Sequence, residues 1–531
     1  MSPPIAEILL GLRTGVCTNS QLGALGACVF FIGALAYIRA SSLGRKLPPG
    51  PRGIPLLGNV LQVPTAHLAT YFRVLCKKYG GIVSLNLLGT TVIVIGDGAL
   101  AKELMDKRSA KYSGRPVEPY MSRYADPDEK YWGFSNPGET FRLGRKLANQ
   151  VMAGVRAGRS HSLHRYESML TLQHIIEKPT GWYHHIDRFA TSMIVSAMFG
   201  VRFTTGKEKT MMDIVQLNDE FGLSISNAAS IINIFPFLDY IPGPMPWRRR
   251  AAEFRKKEET VYANLARQAI EGENSSIENW AQYFAGKDND NGDHRELLNL
   301  FAIAAAHSTA TGLQVFVLAC MCHQEWIRPA QAQIDAVVGP TRLPNFSDRE
   351  KMPYIEAVCR EVLRWRPAAR FGIPHKATAD DIVQYNGKEY YIPKDSTVIG
   401  VPWIIEHDPV FYPDPDTFKP ERWLDANGQL REDYSTTAFG WGRRTCPGSP
   451  FAERSLWINV VLWLWTFDIG RAPGYNYVSD DSAFLPDFGT APKPFPAIFK
   501  LRSTQHEMIA KQEWQESEKD LAALLPMPKA S

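Results

Sequence analysis

The sequence predicts a mainly α-helical protein with small β-sheets, preceded by one N-terminal transmembrane helix. Two long stretches without acidic or basic residues (histidine aside) predict helices: Thr14–Ile38 near the start of the chain and Leu297–Cys322 in its second half. A third segment, Gly81–Gly96, has the apolar runs and turn glycine of a strand pair. The 531-residue chain is long enough for two or three average domains, although a single large domain is also possible, and it has no internal repeat.

Charge and cysteine content argue against two classes of protein. The net charge of +4 is small for so long a chain, which does not favour a nucleic-acid partner. The seven cysteines are an odd number scattered through apolar segments, which is not a disulfide framework. We therefore expect the main domain to lie in a reducing compartment.

The first predicted element is a membrane anchor. Thr14–Ile38 exceeds the ~20 helical residues that cross the hydrocarbon core of a bilayer. Arg39, Arg45 and Lys46 follow it, and the positive-inside rule then predicts that the downstream chain is cytosolic. The proline-rich stretch 48–59 comes next and predicts a semi-rigid spacer, because proline forbids helix and stiffens the chain.

The stretch Leu297–Cys322 predicts a helix through the core of the main domain rather than a second membrane span. Its polar residues would be costly in lipid; they are Asn299, His307, Ser308, Thr309, Thr311 and Gln314.

A shorter helix is predicted from Tyr354 to about Trp365. Ser347–Glu350 has the pattern of a capping box, and Pro353 suits the first turn of the helix that follows. Glu361 and Arg364 are three residues apart and share one face of this helix. Taken alone, such a pair is an ordinary surface ion pair of little energetic weight.

The most informative segment is Phe439–Gly448, with the sequence Phe-Gly-Trp-Gly-Arg-Arg-Thr-Cys-Pro-Gly. Gly442 and Gly448 allow a tight turn and a close approach to a ligand around Cys446. Arg444 offers a planar guanidinium that suits a carboxylate. Haem has both an iron for a thiolate and propionates for an arginine. The alternative is a buried structural cysteine in a glycine-rich turn.

This segment resembles the haem-binding loop of the cytochrome P450 monooxygenases, Phe-x-x-Gly-x-Arg-x-Cys-x-Gly, with every fixed position filled. The resemblance implies the cytochrome P450 fold and haem b as cofactor, with Cys446 as the axial thiolate ligand of the iron. It also implies haem contacts from Phe439, Gly442, Arg444 and Gly448. The expected organisation is an anchor with a basic stop, a haem-thiolate catalytic domain and a loose polar tail, over residues 1–44, 45–502 and 503–531.

Glu361-x-x-Arg364 lies about 80 residues before Cys446 and resembles the K-helix motif of the same family. The segment Phe418–Trp423 supplies the partner arginine, Arg422. The resemblance implies a buried ion triad beneath the haem, formed by Glu361, Arg364 and Arg422. Such a triad helps to fix one geometry and takes no part in the chemistry.

Three residues are implied as partners of the haem propionates: Arg145, His375 and Arg444. Phe141 stands where the family has the tryptophan of Trp-x-x-x-Arg, so one indole donor is missing, while Arg145 remains. His375 follows the K helix, where the family often has a histidine. For Arg145 and His375 alone, a solvated charge is an equally open interpretation.

The oxygen-activating helix departs from the family pattern Ala/Gly-Gly-x-Asp/Glu-Thr-Thr. The register gives Ala304–Thr309, with His307 in place of the acid and Ser308 in place of the first threonine. The resemblance implies that Ser308 and Thr309 relay protons and that His307 exchanges them near neutral pH. Alternatively, His307 points away from the haem and only packs or contacts substrate.

The resemblance also implies an aromatic, weakly polar pocket for a hydrophobic substrate with few charges. Its expected lining residues are Tyr131, Trp132, Phe134, Phe371, Ile373, Phe488 and Thr490.

The implied function is a membrane-bound haem-thiolate monooxygenase that hydroxylates or epoxidises a hydrophobic secondary metabolite of polyketide, alkaloid or terpenoid type. Electrons would come from NADPH through NADPH–cytochrome P450 reductase, with cytochrome b5 as a second candidate partner. The expected location is the endoplasmic reticulum membrane, single-pass, with a cytosolic catalytic domain. Trp423 and Trp441–Arg444 resemble most the fungal members similar to O-methylsterigmatocystin oxidoreductase.

Two alternatives stay open. The first is oxidative ring closure or aryl coupling, in which no oxygen is transferred to the product. The second is a haem-binding protein that lacks turnover, because the acid–threonine pair of the oxygen-activating helix is altered.

Overall fold

The computed structural model describes residues 47–224, 231–286, 294–485 and 490–525. The predicted anchor Thr14–Ile38, the basic residues after it and Phe488 lie outside the described residues.

Helices make up most of the described chain, as the sequence predicts. Several of them, including those that start at Pro246, Pro353 and Pro402, begin with a proline, whose missing N–H has no partner to lose in the first helical turn. The α-helices are α1 Leu68–Tyr79, α2 Gly98–Ala101, α3 Glu139–Arg156, α4 His161–Glu177, α5 Trp182–Phe199, α6 Lys209–Ser224, α7 Ile231–Ile234, α8 Pro246–Ile270, α9 Trp280–Phe284, α10 Asn299–Cys322, α11 Ile327–Val338, α12 Pro353–Trp365, α13 Pro402–Ile405, α14 Ser449–Thr466, α15 Thr504–Glu516 and α16 Leu521–Leu524.

The strands form one four-stranded sheet and two antiparallel two-stranded sheets. They are β1 Ile82–Leu87, β2 Thr90–Ile95, β3 His375–Lys376, β4 Asp381–Tyr385, β5 Lys388–Ile392, β6 Thr397–Gly400, β7 Phe467–Gly470 and β8 Ile498–Leu501. The larger sheet has the order β1-β2-β6-β3, and the pairs are β4-β5 and β7-β8.

The predicted strand pair is confirmed by the antiparallel pairing of β1 and β2. Two residues join the strands, Leu88 and Gly89, with φ of 50° and 91°. Two consecutive positive φ values suit a tight hairpin turn, and they explain the glycine at the second position. β2 then pairs in parallel with β6, which brings the distant segment 397–400 into the same sheet.

The core is built around α10 and α14. Among the described residues, the stretch Arg295–Cys322 is long and apolar enough to cross a membrane, and most of it is buried inside the protein. This confirms the prediction of a core helix. α14 packs against both α10 and α12 and buries Trp457, Trp463 and Trp465 completely. Because α14 is packed in the core, the position of its N-terminal end, which follows Cys446, is fixed.

The start of the segment before α12 differs from the prediction. The helical turn there is a 3₁₀ helix, Phe346–Lys351, and its N-cap is Asn345 rather than Ser347. The Asn345 side chain accepts from the Ser347 N–H at 2.9 Å, and the Asp348 carboxylate accepts from the Asn345 N–H at 3.0 Å. The predicted box at Ser347–Glu350 is wrong, because the helical turn begins at Phe346 and the reciprocal capping hydrogen bonds join Asn345 and Asp348. α12 itself begins at Pro353 and ends at Trp365, as predicted.

The predicted loose tail is also wrong for its described part. α15 and α16 pack against α4, and Ala510, Leu521 and Leu524 are buried. The Gln173 side-chain amide on α4 donates to the Ala510 carbonyl at 2.9 Å. Buried apolar residues within a mostly polar segment account for this docking.

Candidate active site

The loop before α14 is shaped by two glycines in the left-handed region. Gly440 and Gly442 have φ of 74° and 52°, and a Cβ at Gly442 would collide with the Met105 carbonyl oxygen. The Cys446 N–H donates to the Phe439 carbonyl at 2.8 Å and closes the loop. The backbone therefore presents Cys446 directly before the first turn of α14.

The Cys446 sulfur faces the N-terminal end of α14. Burial by the surrounding protein raises the pKa of the thiol, while the Gly448 and Ser449 N–H groups and the Arg145 charge act to lower it. Cys446 is nevertheless exposed, so a ligand can reach this position. Helix N-terminal N–H groups favour a thiolate, and a bound metal ion deprotonates a thiol outright.

Two arginines flank this loop. Arg145 on α3 donates to the Thr445 carbonyl, one residue before Cys446. The Arg444 guanidinium stacks on Phe141, with 3.8 Å from its central carbon to the ring centroid, and donates to the Ser135 carbonyl at 2.7 Å. Burial and the nearby Arg145 lower the pKa of Arg444 to about 10. Phe141 thus supports Arg444 through its ring face.

A third arginine, Arg115, lies next to these two and was missed by the sequence interpretation. It is 5% exposed and donates to the carbonyls of Gly133 at 3.1 Å, Ile373 at 3.2 Å and Pro374 at 2.6 Å. Burial and the Arg444 charge lower its pKa. Within the described residues, no carboxylate forms an ion pair with Arg115, and the same holds for Arg145 and Arg444.

His375 lies beside this arginine group. Its Nδ1 atom is 2.6 Å from the Tyr112 carbonyl oxygen, which assigns the proton to Nδ1. Burial, together with the charges of Arg115 and Arg444, lowers the pKa of His375 to about 3, so the ring is neutral. His375 thus lies beside Arg115 and Arg444, and Arg145 lies beside Arg444.

Glu361 forms ion pairs with both arginines that the sequence grouped with it. Arg364 contacts the two carboxylate oxygens at 2.7 and 2.8 Å, and Arg422 Nε lies 3.1 Å from Oε1. The Trp423 indole N–H donates to Oε2 at 2.9 Å, a contact that the sequence interpretation missed although Trp423 follows Arg422. Glu361 and Arg364 are completely buried, so each needs these partners.

One strip of α10 is exposed although the helix lies in the core. Ala304 and Ser308, one turn apart, are exposed, while Thr309 is buried and His307 is half-buried. The Ser308 hydroxyl donates to the Ala304 carbonyl at 2.8 Å, which leaves its oxygen lone pairs free to accept. The Ser308 hydroxyl is therefore accessible on an otherwise largely buried helix.

The comparisons with known proteins decide the family. A family model described as Cytochrome P450 matches residues 48–499. The chain belongs to the cytochrome P450 family. A cytochrome P450 monooxygenase of Armillaria gallica is 32% identical over 495 residues, which cover 90% of this chain and 94% of that protein.

Two further cytochrome P450 monooxygenases are similarly related. The protein aneD of Aspergillus aculeatus is 30% identical over 505 residues, with 92% of this chain and 96% of that protein covered. The protein FrzL of a Cladobotryum species is 30% identical over 503 residues, with 92% and 94% covered. The chain is accordingly a cytochrome P450 monooxygenase, an oxidoreductase of a family that binds haem through a cysteine thiolate.

The residues of this cytochrome P450 fit that cofactor. Cys446 presents an accessible sulfur at a helix N-terminus. Arg115, Arg145 and Arg444 are cations without a carboxylate partner in the described chain, and two propionates would compensate them. Arg145, His375 and Arg444 stay predicted propionate partners, and Arg115 joins them.

Two of the predicted pocket residues, Phe134 and Ile373, line a cleft of about 120 Å³. The cleft also contains Glu118, whose pKa burial raises to about 7. Phe371 is half-buried against the core beside β2 and β6. The Thr490 hydroxyl donates to the Ala368 carbonyl at 3.0 Å and ties the C-terminal loop to the segment after α12.

Tyr131 and Trp132 differ from the prediction, since they are packed into the main core instead of lining this cleft. They are 1% and 3% exposed. The Trp132 indole N–H donates to the Leu297 carbonyl at 3.2 Å, because a buried indole requires an acceptor. The Tyr131 ring packs edge-on against Phe221 at 5.0 Å. Both residues support the loop that carries Phe134.

Proposed function

We propose that this cytochrome P450 is a haem b monooxygenase that hydroxylates or epoxidises a hydrophobic secondary metabolite of polyketide, alkaloid or terpenoid type. The observation that carries the proposal is the accessible Cys446 sulfur at the N-terminus of α14, beside three arginines without acidic partners in the described chain. Similarity to the O-methylsterigmatocystin oxidoreductase group, in Trp423 and Trp441–Arg444, supports this class of substrate.

A haem with a thiolate ligand supplies dioxygen activation, since the electron-rich sulfur favours O–O cleavage. Ser308 contributes the proton-handling group on the facing strip of α10. The Ser308 oxygen can accept a hydrogen bond from a water molecule. The hydroxyl, which donates to the Ala304 carbonyl, can also turn away from that carbonyl and donate its proton towards the haem. His307 stands at the position of the usual acid, and Thr309 is a second hydroxyl candidate.

The cleft beside Phe134 and Ile373 supports a hydrophobic substrate. Its lining includes six apolar residues among thirteen, and Glu118 is an acid that burial holds partly protonated near neutral pH. A protonated carboxyl can donate a hydrogen bond to a carbonyl or hydroxyl oxygen of a substrate. This arrangement would orient an oxygenated, largely uncharged molecule.

The electron donor would be NADPH–cytochrome P450 reductase, with cytochrome b5 as a second partner. The apolar segment Thr14–Ile38 and the basic residues after it support a single-pass location in the endoplasmic reticulum membrane, with a cytosolic catalytic domain. The corresponding organisation is anchor, catalytic domain and tail over residues 1–44, 45–502 and 503–531. Expression of residues 45–531 without the anchor tests it: the catalytic domain should leave the membrane fraction.

A second candidate is oxidative ring closure or aryl coupling without oxygen transfer. The observation in its favour is His307 at the position of the usual acid on α10, which alters proton supply. In this case the active site would remove hydrogen from the substrate and release no oxygenated product.

The test is comparative mass spectrometry of the source organism with and without this protein, grown under isotopically heavy dioxygen. A missing product that carries one labelled oxygen supports the proposal. An unlabelled product that lacks only hydrogens supports coupling. A strain that produces Cys446→Ser protein is the matched control, and it should resemble the deletion. No difference between the strains would contradict both activities.

A further inference from the structure

A buried carboxylate outside the established motifs holds the start of the cysteine loop. Glu406 directly follows α13 and is completely buried. Its Oε1 atom accepts from the Thr436 hydroxyl at 2.7 Å and also from the Thr437 N–H. Both threonines lie in the irregular stretch that leads into the loop, where no strand ladder holds the backbone.

Two further hydrogen bonds lead from Thr437 to the ligand. The Gly440 N–H donates to the Thr437 carbonyl at 2.9 Å and forms a turn. Phe439 lies inside this turn, and its carbonyl accepts from the Cys446 N–H at 2.8 Å. The position of Thr437 thus sets the position of the carbonyl that fixes the cysteine backbone.

The other end of Glu406 is attached to the ion triad. Its backbone carbonyl accepts from Arg364 Nη1 at 2.8 Å, while the Arg364 side chain also pairs with Glu361. The second carboxylate oxygen, Oε2, is buried and has no hydrogen-bond partner among the described residues. The Arg364 charge acts to lower the pKa of Glu406, but the Glu406 carboxylate forms no ion pair within the described residues, so its hydrogen bonds go to the two threonines.

We propose that Glu406 is a positioning residue for the axial ligand: through Thr436 and Thr437 it fixes the cysteine loop so that Cys446 binds the haem iron as a thiolate. Burial of an acid with one unsatisfied oxygen costs folding free energy. A role of Glu406 in positioning the loop is consistent with that cost, whereas a purely stabilising role is not. Burial raises the pKa of Glu406 to about 7, in line with that cost. The inference rests on the proposed haem-thiolate function.

The test uses the full-length, haem-loaded protein and the absorbance spectrum of its reduced carbon monoxide complex. Glu406→Ala removes two hydrogen bonds to the acceptor, so the ratio of thiol-type to thiolate-type complex should rise by about tenfold in protein that remains folded. Glu406→Gln keeps a carbonyl acceptor at the same place and should stay close to wild type. Thr436→Val deletes one of the two bonds with little change of shape and should give an intermediate ratio.

Glu167→Ala is the matched control. Glu167 is equally buried and accepts from Ser192 and Arg188, but it contacts neither the loop nor the triad. This variant should lower the thermal midpoint and leave the spectral ratio of the folded protein unchanged. If Glu406→Ala fails to fold, Thr436→Val decides the question.

Three results would overturn the inference: a wild-type ratio in folded Glu406→Ala, a wild-type ratio in Thr436→Val, or an equal spectral change in Glu167→Ala. A wild-type protein without any thiolate-type spectrum would instead overturn the proposed function itself. The two failures are therefore distinguishable in a single series of spectra.

Discussion

Arg115 belongs to the arginine group that would bind the haem propionates, although it lies in none of the recognised motifs. Its guanidinium is held by three backbone carbonyls next to Arg444, and burial of two neighbouring cations is unfavourable without anions. Propionates would supply those anions. The sequence gives no local signal for this role, because the contact from Arg115 to Pro374 spans 259 positions of the chain.

We predict that Arg115→Met releases haem about tenfold faster than wild type, since a hydrogen bond to a charged group is lost. The measurement is the rate of haem transfer to excess apomyoglobin. Arg123→Met is the control, because Arg123 is exposed and pairs with Asp239 away from the arginine group. Equal release rates for Arg115→Met and wild type would remove Arg115 from the haem site.

Ser308 can deliver protons only because its hydroxyl is accessible, although the helix that carries it is largely buried. We predict that Ser308→Ala lowers the product formed per NADPH consumed by about tenfold or more, because proton delivery loses its hydroxyl. Thr311→Val is the control: the Thr311 hydroxyl also donates to a carbonyl four residues earlier, that of His307, but it is fully buried. Unaltered coupling in Ser308→Ala would exclude the hydroxyl from proton transfer.

At the scale of elements, the sequence pattern predicted those helices and strands whose bounds depend on neighbouring residues. The strand pair β1–β2, the core helix α10 and the bounds of α12 follow from apolar pattern, turn glycine and proline. The cap at Asn345 was missed because two adjacent candidates compete within three residues. The docking of α15 and α16 depends on their contacts with α4, which no pattern in the tail itself reveals.

The ion triad joins α12 to the segment at Arg422, and its loss should be costly. Glu361→Gln leaves Arg364 buried without its counter-charge, so we predict a loss of about 3–5 kcal/mol in the free energy of unfolding. Urea denaturation monitored by tryptophan fluorescence measures it. The control is Glu103→Gln, which breaks pairs with Lys107 and Arg108 near the protein surface and should leave the unfolding midpoint nearly unchanged. Similar midpoints for both variants would refute a structural role for the triad.

His164 couples α4 to the first turn of α14. Its ring nitrogens lie 2.7 Å from the Ser160 carbonyl and 3.2 Å from the Phe451 carbonyl. Burial, reinforced by the charges of Arg454 and His161, lowers the pKa of His164 to about 4. Between about pH 6.5 and 4, His164 is therefore protonated in the unfolded chain and neutral in the folded protein.

We consequently predict that the contribution of His164 to the free energy of unfolding is fully present above about pH 6.5. It decreases as the pH drops, by at most about 1.4 kcal/mol per pH unit. His164→Asn should flatten this part of the curve of thermal midpoint against pH, whatever its effect on the midpoint at pH 7. An identical slope in wild type and variant would show that His164 does not titrate on unfolding.

At the scale of the whole molecule, the fold brings together segments that are far apart in sequence. The loop of Cys446 begins α14, α10 supplies Ser308, and the arginines come from α3, the loop before it and the cysteine loop. The cysteine loop and the triad could be predicted because each rests on a short motif. The contacts of Arg115 and Glu406 could not, because they depend on backbone carbonyls and N–H groups supplied by distant segments.

The direct test of a haem held by the Cys446 thiolate is the absorbance spectrum of the reduced carbon monoxide complex of wild type, Cys446→Ser and Cys322→Ser. Cys322 is a half-buried free cysteine at the end of α10, so it controls for loss of a thiol. We predict a thiolate-type spectrum for wild type and Cys322→Ser, and its loss in Cys446→Ser. An unchanged spectrum in Cys446→Ser would contradict the account, because another residue would then ligate the iron.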